Sequence, residues 1–99
     1  MRPIHVAQLD KPRPVLVLTR EVVRAHLTYV TVAPITTRIR GLSSEVQVGP
    51  ANGLDGPCVV SCDGIVTIET ADLGAQIGVL LDPQELALTA AIGAAFDLA

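Results

Sequence analysis

Residues 11–18 read Lys-Pro-Arg-Pro-Val-Leu-Val-Leu, and this stretch decides the fold. The run PVLVLT at 14–19 is too short for a helix and predicts a central strand that is buried on both faces. Arg13 stands immediately before it, between two prolines. Each proline fixes its own φ and favours extended backbone in the residue before it, so Arg13 is expected to be held in place. Its planar fork of donors suits a phosphate.

The remaining elements are predicted to be short. The turn signal Asp63-Gly64 predicts a hairpin between the strands Cys58–Cys62 and Ile65–Thr70. Arg20–His26 is expected to form a helical turn. The pattern indicates one mainly β (α+β) domain over residues 1–99, with a strongly bent sheet or small barrel of SH3-like size. The other predicted strands are Ile4–Leu9, Leu27–Pro34, Glu45–Val48, Cys58–Cys62, Ile65–Thr70 and Gln76–Leu80.

A C-terminal helix is predicted from Asp82 to about Leu98. Asp82 is interpreted as its N-cap, Pro83 as its first residue and Glu85 as the third. The polar and small residues of this helix form one narrow stripe, and nearly everything else is apolar. Such a helix is expected to be covered on more than one side, and a second subunit could provide part of that cover.

Charge is distributed unevenly along the chain. All seven basic residues lie within the first 40 positions, where only Asp10 and Glu21 oppose them, and the eight other acids all lie further on. This split favours a basic surface for an anionic partner, although intermixing of the two parts in one small domain would cancel much of the field.

Cys58 and Cys62 are predicted to be buried free thiols. If both lie on one strand they are roughly 13 Å apart on the same face, too far for a disulfide. No second Cys or His pair accompanies them, so no metal site is expected, and His5 and His26 are isolated.

No targeting segment and no apolar run long enough for a bilayer is present, which favours a cytoplasmic protein.

A second polar segment follows the strand that ends near Pro34. Thr36 and Thr37 come directly after it, beside Arg38 and Arg40. If this strand is antiparallel to the one that follows Arg13, a cation and a hydroxyl converge and could share one phosphate. The residues alone favour an ordinary loop threonine pair at this point.

The combination of these two segments resembles the signature of the MazF/PemK toxin family. In that family an R-P-V-L-V strand is followed by a strand end of the form x-P-[IL]-T, here Arg13–Leu18 and Ala33–Thr37, with Thr36 lying 23 residues after Arg13. Cys58–Asp63, Thr67-Ile68, Gln76–Gly78 and the C-terminal helix extend the similarity over nearly the whole chain. It is closest to the short mycobacterial-type members.

The resemblance implies an SH3-like barrel of the plasmid-toxin class and a homodimer without cofactors. It also implies sequence-specific cleavage of single-stranded RNA by 2′-hydroxyl attack, and a MazE-like antitoxin that neutralises the toxin. The catalytic pair of the family carries over to Arg13 and Thr36. Contacts to RNA are expected from a further set of polar side chains: Lys11, Thr37, Arg38, Arg40 and Asp63.

Two other functions stay open at this point. A CcdB-like inhibitor of DNA gyrase would share the fold and cleave nothing, but that family ends in a tryptophan-containing segment and this chain has no Trp. A non-catalytic interaction module is the other alternative. It is suggested by the short loop at 10–12 and by Gly64 and Val66, which stand where many family members have Gln and Arg.

Overall fold

The chain folds into seven strands and two α-helices in the computed structural model, which describes residues 2–24 and 26–98. The strands are β1 (Pro3–Gln8), β2 (Pro12–Val17), β3 (Tyr29–Thr36), β4 (Glu45–Val48), β5 (Cys58–Ser61), β6 (Val66–Glu69) and β7 (Leu73–Val79). The helices are α1 (Glu21–Arg24) and α2 (Asp82–Ala95). The predicted mainly β class with a C-terminal helix is confirmed. The predicted turn Arg20–His26 includes Ala25, which lies outside the described residues.

All strand pairs are antiparallel, and β3 is the strand around which the sheet is organised. The order is β4-β5-β3-β2-β1-β7, with β6 also paired to β3. The first half of β3 pairs with β6, its middle with β2, and its end with β5. Because one long strand serves three neighbours, its final residues leave β2 and enter the β4-β5 part of the sheet.

The sheet does not close into a full barrel within the described residues, where no ladder joins β4 to β7. The segment Gly49–Leu54 lies across this gap instead. The buried Asn52 donates from Nδ2 to the carbonyl of Val79 at 3.0 Å, and the backbone of Gly53 lies against Ile77 and Gly78. Of the two predicted forms, a strongly bent sheet or a small barrel, the described residues form an open bent sheet whose two edges are bridged by a loop.

Two apolar clusters cover the two faces of the β1-β2-β3 region. The larger is the core enclosed by the bent sheet and α2, and it includes Ile4, Leu16 and Leu88. The smaller lies on the opposite face and includes Val15, Val17 and Val32. Alternate residues of β2 thus enter different clusters, which confirms the prediction of a strand buried on both faces.

The predicted hairpin at Asp63-Gly64 is wrong. Residues Cys62–Gly64 form a 3-10 turn, and β5 and β6 do not pair with each other but both follow the same edge of β3. The Asp-Gly signal marks a turn correctly. It could not reveal that a third, longer strand takes up the hydrogen bonds of both neighbours.

The start of α2 also differs from the prediction. Leu81 is the N-cap, Asp82 is the first helical residue and Gln84 the third. The side chain of Gln84 accepts a hydrogen bond from the Leu81 N–H at 2.9 Å and pairs with the amide of Asn52. Gln84 is used both to cap the helix and to hold the bridging loop, and this tertiary role shifts the boundary by one residue.

Cys58 and Cys62 are buried and free, as predicted. Burial, and secondarily the nearby carboxylate of Asp63, raises the pKa of the Cys62 thiol.

Neither helix of the described ranges has the length and apolar character that crossing a membrane requires.

Candidate active site

The site predicted from sequence lies where β2 and β3 stop pairing. Their ladder ends at Val15 opposite Pro34, and from there β3 continues against β5. Pro14 has no N–H with which to extend the ladder. Arg13 and Thr36 occupy matching positions two residues beyond the last pair. Both lie at the same end of the sheet, where the two strands part.

Arg13 is held by a bidentate ion pair with Asp10. Its Nε donates to Oδ1 of Asp10 at 2.8 Å and its Nη2 to Oδ2 at 3.1 Å. The hydrogen bond from Arg13 lowers the pKa of Asp10 to about 2, and the same contact raises the pKa of Arg13. The guanidinium is therefore a permanent cation, kept in a fixed orientation by a carboxylate that a bound phosphate would have to displace or share.

Thr36 is half-buried at the end of β3, and its hydroxyl is oriented by the loop that follows. Oγ1 accepts a hydrogen bond from the backbone N–H of Arg38 at 3.1 Å. A hydroxyl that accepts one bond keeps its own proton for donation. Thr36 can therefore donate to an anionic oxygen while the Arg38 N–H fixes its position.

Two clefts open on either side of the end of β3. The Arg13 cleft has a volume of about 440 Å³, and the Thr36 cleft about 200 Å³. Thr37 lines the Arg13 cleft, whereas its neighbour in the chain, Thr36, lines the Thr36 cleft. The Arg13 cleft is lined by Val6, Pro12, Arg13, Pro14, Thr37, Gly53, Leu54, Asp55, Gly56, Cys58 and Ile77. The Thr36 cleft is lined by Thr36, Arg38, Arg40, Leu42, Glu45, Ser61 and Asp63.

The basic loop after Thr36 is ordered by one carboxylate. Glu45 accepts hydrogen bonds from the backbone N–H groups of Arg40, Gly41 and Leu42, the shortest being 2.9 Å to Gly41. At the last residue of the loop, Ser44 Oγ donates to Asp63 Oδ2 at 2.6 Å. These bonds fix the backbone and leave the side chains of Arg38 and Arg40 exposed at the rim.

The structure divides six of the seven residues predicted from sequence between two clefts, with Arg13 and Thr36 in different ones. Arg13 and Thr37 line one cleft, and Thr36, Arg38, Arg40 and Asp63 line the other. Lys11 is exposed on the β1-β2 turn and lines neither of them. Three acidic residues were missed: Asp10, Glu45 and Asp55. Only Asp10 carried a signal, since an acid three residues from an arginine is a common ion-pair spacing.

The remaining arginines belong to a different surface. Arg2, Arg20 and Arg24 line a pocket beyond the far end of β2, together with Glu21 and Glu85. Arg2 pairs with Glu85 at 3.2 Å and Arg24 with Glu21 at 3.8 Å. Thr19, the first residue of this segment to line the pocket, lies six positions after Arg13, roughly 20 Å along extended backbone. The basic excess of the first 40 residues is therefore divided between two ends of the molecule.

Cation ligands are not assembled at either cleft. Across residues 2–24 and 26–98, no three His, Cys, Asp or Glu side chains are grouped as metal ligands would be. The polar groups near Arg13 and Thr36 are instead hydrogen-bond donors and isolated carboxylates. This arrangement suits an anion bound by donors, such as a phosphodiester.

Comparison with known proteins identifies relatives over the whole fold. A family model described as PemK-like, MazF-like toxin of type II toxin-antitoxin system matches residues 3–96. A relative from Mycobacterium tuberculosis named endoribonuclease MazF3 is 69% identical over 98 residues, covering 99% of this chain and 95% of that protein. The solved M. tuberculosis toxin MazF-mt6 is 68% identical with a TM-score of 0.97, covering 99% of each chain. A mycobacterial endoribonuclease solved with its cognate antitoxin shares the fold, with 23% identity, a TM-score of 0.87 and coverage of 98% and 93%.

Proposed function

The chain belongs to the family of PemK-like, MazF-like toxins of type II toxin-antitoxin systems, and we propose that it is an endoribonuclease that cuts single-stranded RNA at specific sequences without a metal ion. The family match and the names of its relatives support RNA cleavage. They give no support to the gyrase-inhibitor alternative. We place the enzyme in the cytoplasm, where its RNA substrates are found.

The observation that carries the proposal is the separation of β2 and β3 after Val15 and Pro34. It leaves a permanent cation, Arg13, and an oriented hydroxyl, Thr36, at matching strand positions with clefts on both sides. We assign these two residues the catalytic roles. A phosphodiester bound there would receive positive charge from one strand and a hydroxyl donor from the other.

The chemistry requires little from the protein because RNA carries its own nucleophile. The 2′-hydroxyl oxygen attacks the adjacent phosphorus in line, and the P–O5′ bond breaks. The 2′-hydroxyl proton leaves to an acceptor, and a proton reaches the departing 5′-oxygen, so the products are a 2′,3′-cyclic phosphate and a 5′-hydroxyl. Arg13 and Thr36 would position the phosphate and stabilise the added negative charge of the pentacoordinate transition state. The raised pKa of Arg13 makes its guanidinium unsuitable as the proton acceptor.

Asp10 acts as a positioning residue in this proposal. Its bidentate contact orients the Arg13 fork, and with a pKa of about 2 it stays ionised through the whole physiological range. The pair is largely open to solvent, so its contribution to folding stability is small. Its value lies in holding a long, flexible side chain in one orientation before the substrate arrives.

RNA contacts beyond the scissile phosphate are assigned to the rims of the clefts. Lys11, Arg38 and Arg40 are exposed, and among the described residues they make no ion pair within 4.0 Å. They are therefore available to neighbouring phosphates. We assign Thr37 and Asp63 to contacts with bases or ribose, because their hydroxyl and carboxylate groups suit hydrogen-bonding edges.

We also propose two protein partners. A cognate antitoxin of the MazE type is supported by the family, which is one of toxin-antitoxin systems. An acidic antitoxin segment would fit the basic rim that RNA uses. A homodimer is supported by the exposed apolar side chains of α2 and the residues after it, where Leu86 is 80% and Leu98 65% exposed.

The test of the activity is incubation of the purified protein with a long single-stranded RNA in excess EDTA. We expect cleavage in EDTA because no step uses a metal ion. It should occur at a small set of sequences, and every downstream fragment should carry a 5′-hydroxyl end because the P–O5′ bond breaks. End mapping by ligation, with and without prior phosphorylation of the 5′ ends, measures this. Loss of cleavage in EDTA with rescue by added Mg²⁺ would contradict the metal-independent mechanism. Intact RNA under both conditions would favour the non-catalytic module.

A further inference from the structure

We propose that the Arg13 cleft binds the base of a nucleotide adjoining the scissile phosphate, and that Asp55 at its rim selects a base that carries an exocyclic amino group. The inference rests on the proposed function, since it takes the RNA backbone to lie across Arg13 and Thr36. It adds a specificity-determining residue to that site.

The size and walls of the cleft suit a flat heterocycle. Its volume of about 440 Å³ lies within the range of small-molecule pockets. Val6, Pro14 and Ile77 line it from the neighbouring strands β1, β2 and β7, and Leu54 lines it from the bridging loop. A base could lie against this aliphatic surface, within reach of a phosphate on Arg13.

Aromatic side chains cannot perform this task in the present chain. Proteins that bind single strands commonly stack bases on aromatic rings. The two aromatic residues are Tyr29 and Phe96, and neither lines either cleft beside β3. Tyr29 begins β3, seven residues before Thr36 and roughly 20 Å from it, and Phe96 follows α2. Burial of a base near the cut therefore depends on the aliphatic Arg13 cleft.

Asp55 provides the chemical selection. It is exposed at the rim of the cleft, and its carboxylate has no ion-pair partner among the described residues. A carboxylate repels phosphates but accepts hydrogen bonds from amino groups, as Asp and Glu do from cytosine N4. Uracil has no amino group, and its ring N–H lies between two carbonyl oxygens that a carboxylate repels. Cytosine, adenine and guanine are therefore favoured over uracil.

The loop that carries Asp55 is rigid enough for selection. Asn52, two residues before Leu54, is fully hydrogen-bonded through its side chain to Gly49, Val79 and Gln84. Leu54 itself is buried in the core. Asp55 thus follows directly on a segment that is anchored to both α2 and β7.

The proposal is tested by comparing cut sites on a randomised RNA for the wild type, Asp55→Asn and Glu69→Gln. The wild type should show an amino-bearing base at one position beside the cut. Asp55→Asn should accept uracil at that position at least about fivefold better, because an amide can donate to a uracil carbonyl. Glu69→Gln removes the same charge from an exposed position at the end of β6 and should keep the wild-type profile. Identical profiles for the wild type and Asp55→Asn would overturn the proposal.

A binding measurement separates this proposal from the nuclease assignment. Labelled 2′-deoxy strands cannot undergo 2′-hydroxyl attack, so fluorescence anisotropy with oligo(dC) and oligo(dU) reports base selection without cleavage. The wild type should bind oligo(dC) at least about fivefold more tightly, and Asp55→Asn should lose this difference. Selective binding by a protein that cuts no RNA would reject the nuclease function alone. Equal affinities for both strands in the wild type would reject the base cleft.

Discussion

Replacement of Arg13 by alanine is expected to lower the rate of RNA cleavage by about 10³-fold, the loss typical of removing a charged donor from a phosphoryl or oxyanion transition state. Arg13 provides a cation at this end of the sheet, and Asp10 holds its guanidinium through two hydrogen bonds. Since the pair is exposed and β2 keeps its pairing with β1, the fold should be unaffected. Single-turnover cleavage of a short RNA measures the effect, and circular dichroism with light scattering checks the fold and the oligomeric state.

Arg24→Ala is the matched control for this variant. Arg24 also pairs with an acid three residues away, Glu21, but it lies at the opposite end of the molecule. Its removal should leave the rate within about twofold of the wild type. Arg13→Lys keeps the charge and loses the planar fork, so an intermediate rate is expected. If Arg13→Ala cleaves as fast as Arg24→Ala, Arg13 has no part in the chemistry.

Replacement of Gly78 by alanine is expected to destabilise the fold by about 3 kcal/mol or more, which is the upper part of the range for overpacking. A Cβ on Gly78 would overlap the backbone carbonyl of Asn52. On the other side of the same contact, a Cβ on Gly53, whose φ is 87°, would overlap the backbone carbonyl of Ile77. The backbone cannot move away without breaking the contact that bridges the two edges of the open sheet. Urea denaturation followed by circular dichroism measures the loss in the free energy of unfolding.

Gly56→Ala is the control for Gly78→Ala. Gly56 lies in the same loop region, but a Cβ there meets no heavy atom within 4 Å and its φ is not in the left-handed region. This substitution should change the free energy of unfolding by no more than about 0.5 kcal/mol. Equal stabilities of the two variants would show that the bridging contact is not needed for the fold.

Local signals in the sequence predicted most of the elements, because each depends on its own residues. The Val-Leu run after Arg13 is apolar on both faces, and it is indeed buried on both. Pro83 indicated the start of α2 to within one residue, whereas the helix ends at Ala95, about three residues before the predicted end. Turn residues marked the ends of strands reliably for the same reason.

The errors arose where distant residues decide the outcome. Asp63-Gly64 has the composition of a hairpin turn, but β3 is long enough to pair with β5 and β6 in succession, so no hairpin forms. Gln84 replaces the expected capping group because Asn52, 32 residues away in sequence, pairs with it. The bridge between Gly53 and Gly78 is equally invisible to local patterns, and with it the open form of the sheet.

The candidate site followed the same division. Arg13 and Thr36 were proposed from their motifs, and the structure places them at the same end of the sheet, in neighbouring clefts. Asp10 carried a signal in its three-residue spacing from Arg13, whereas Glu45 and Asp55 carried none. The roles of these two acids depend on the course of the backbone, since Glu45 accepts bonds from a loop and Asp55 lies at the rim of a cleft.

We propose that the two clefts beside β3 serve attack by a ribose hydroxyl on its own phosphate. This is tested by comparing cleavage of one RNA of fixed sequence with cleavage of the same strand that carries a single 2′-deoxy nucleotide 5′ to the cut. We expect the ribose strand to be cut in EDTA and the substituted strand to remain intact at that position, while both bind with similar affinity. Cleavage of the substituted strand at the same bond would contradict the mechanism.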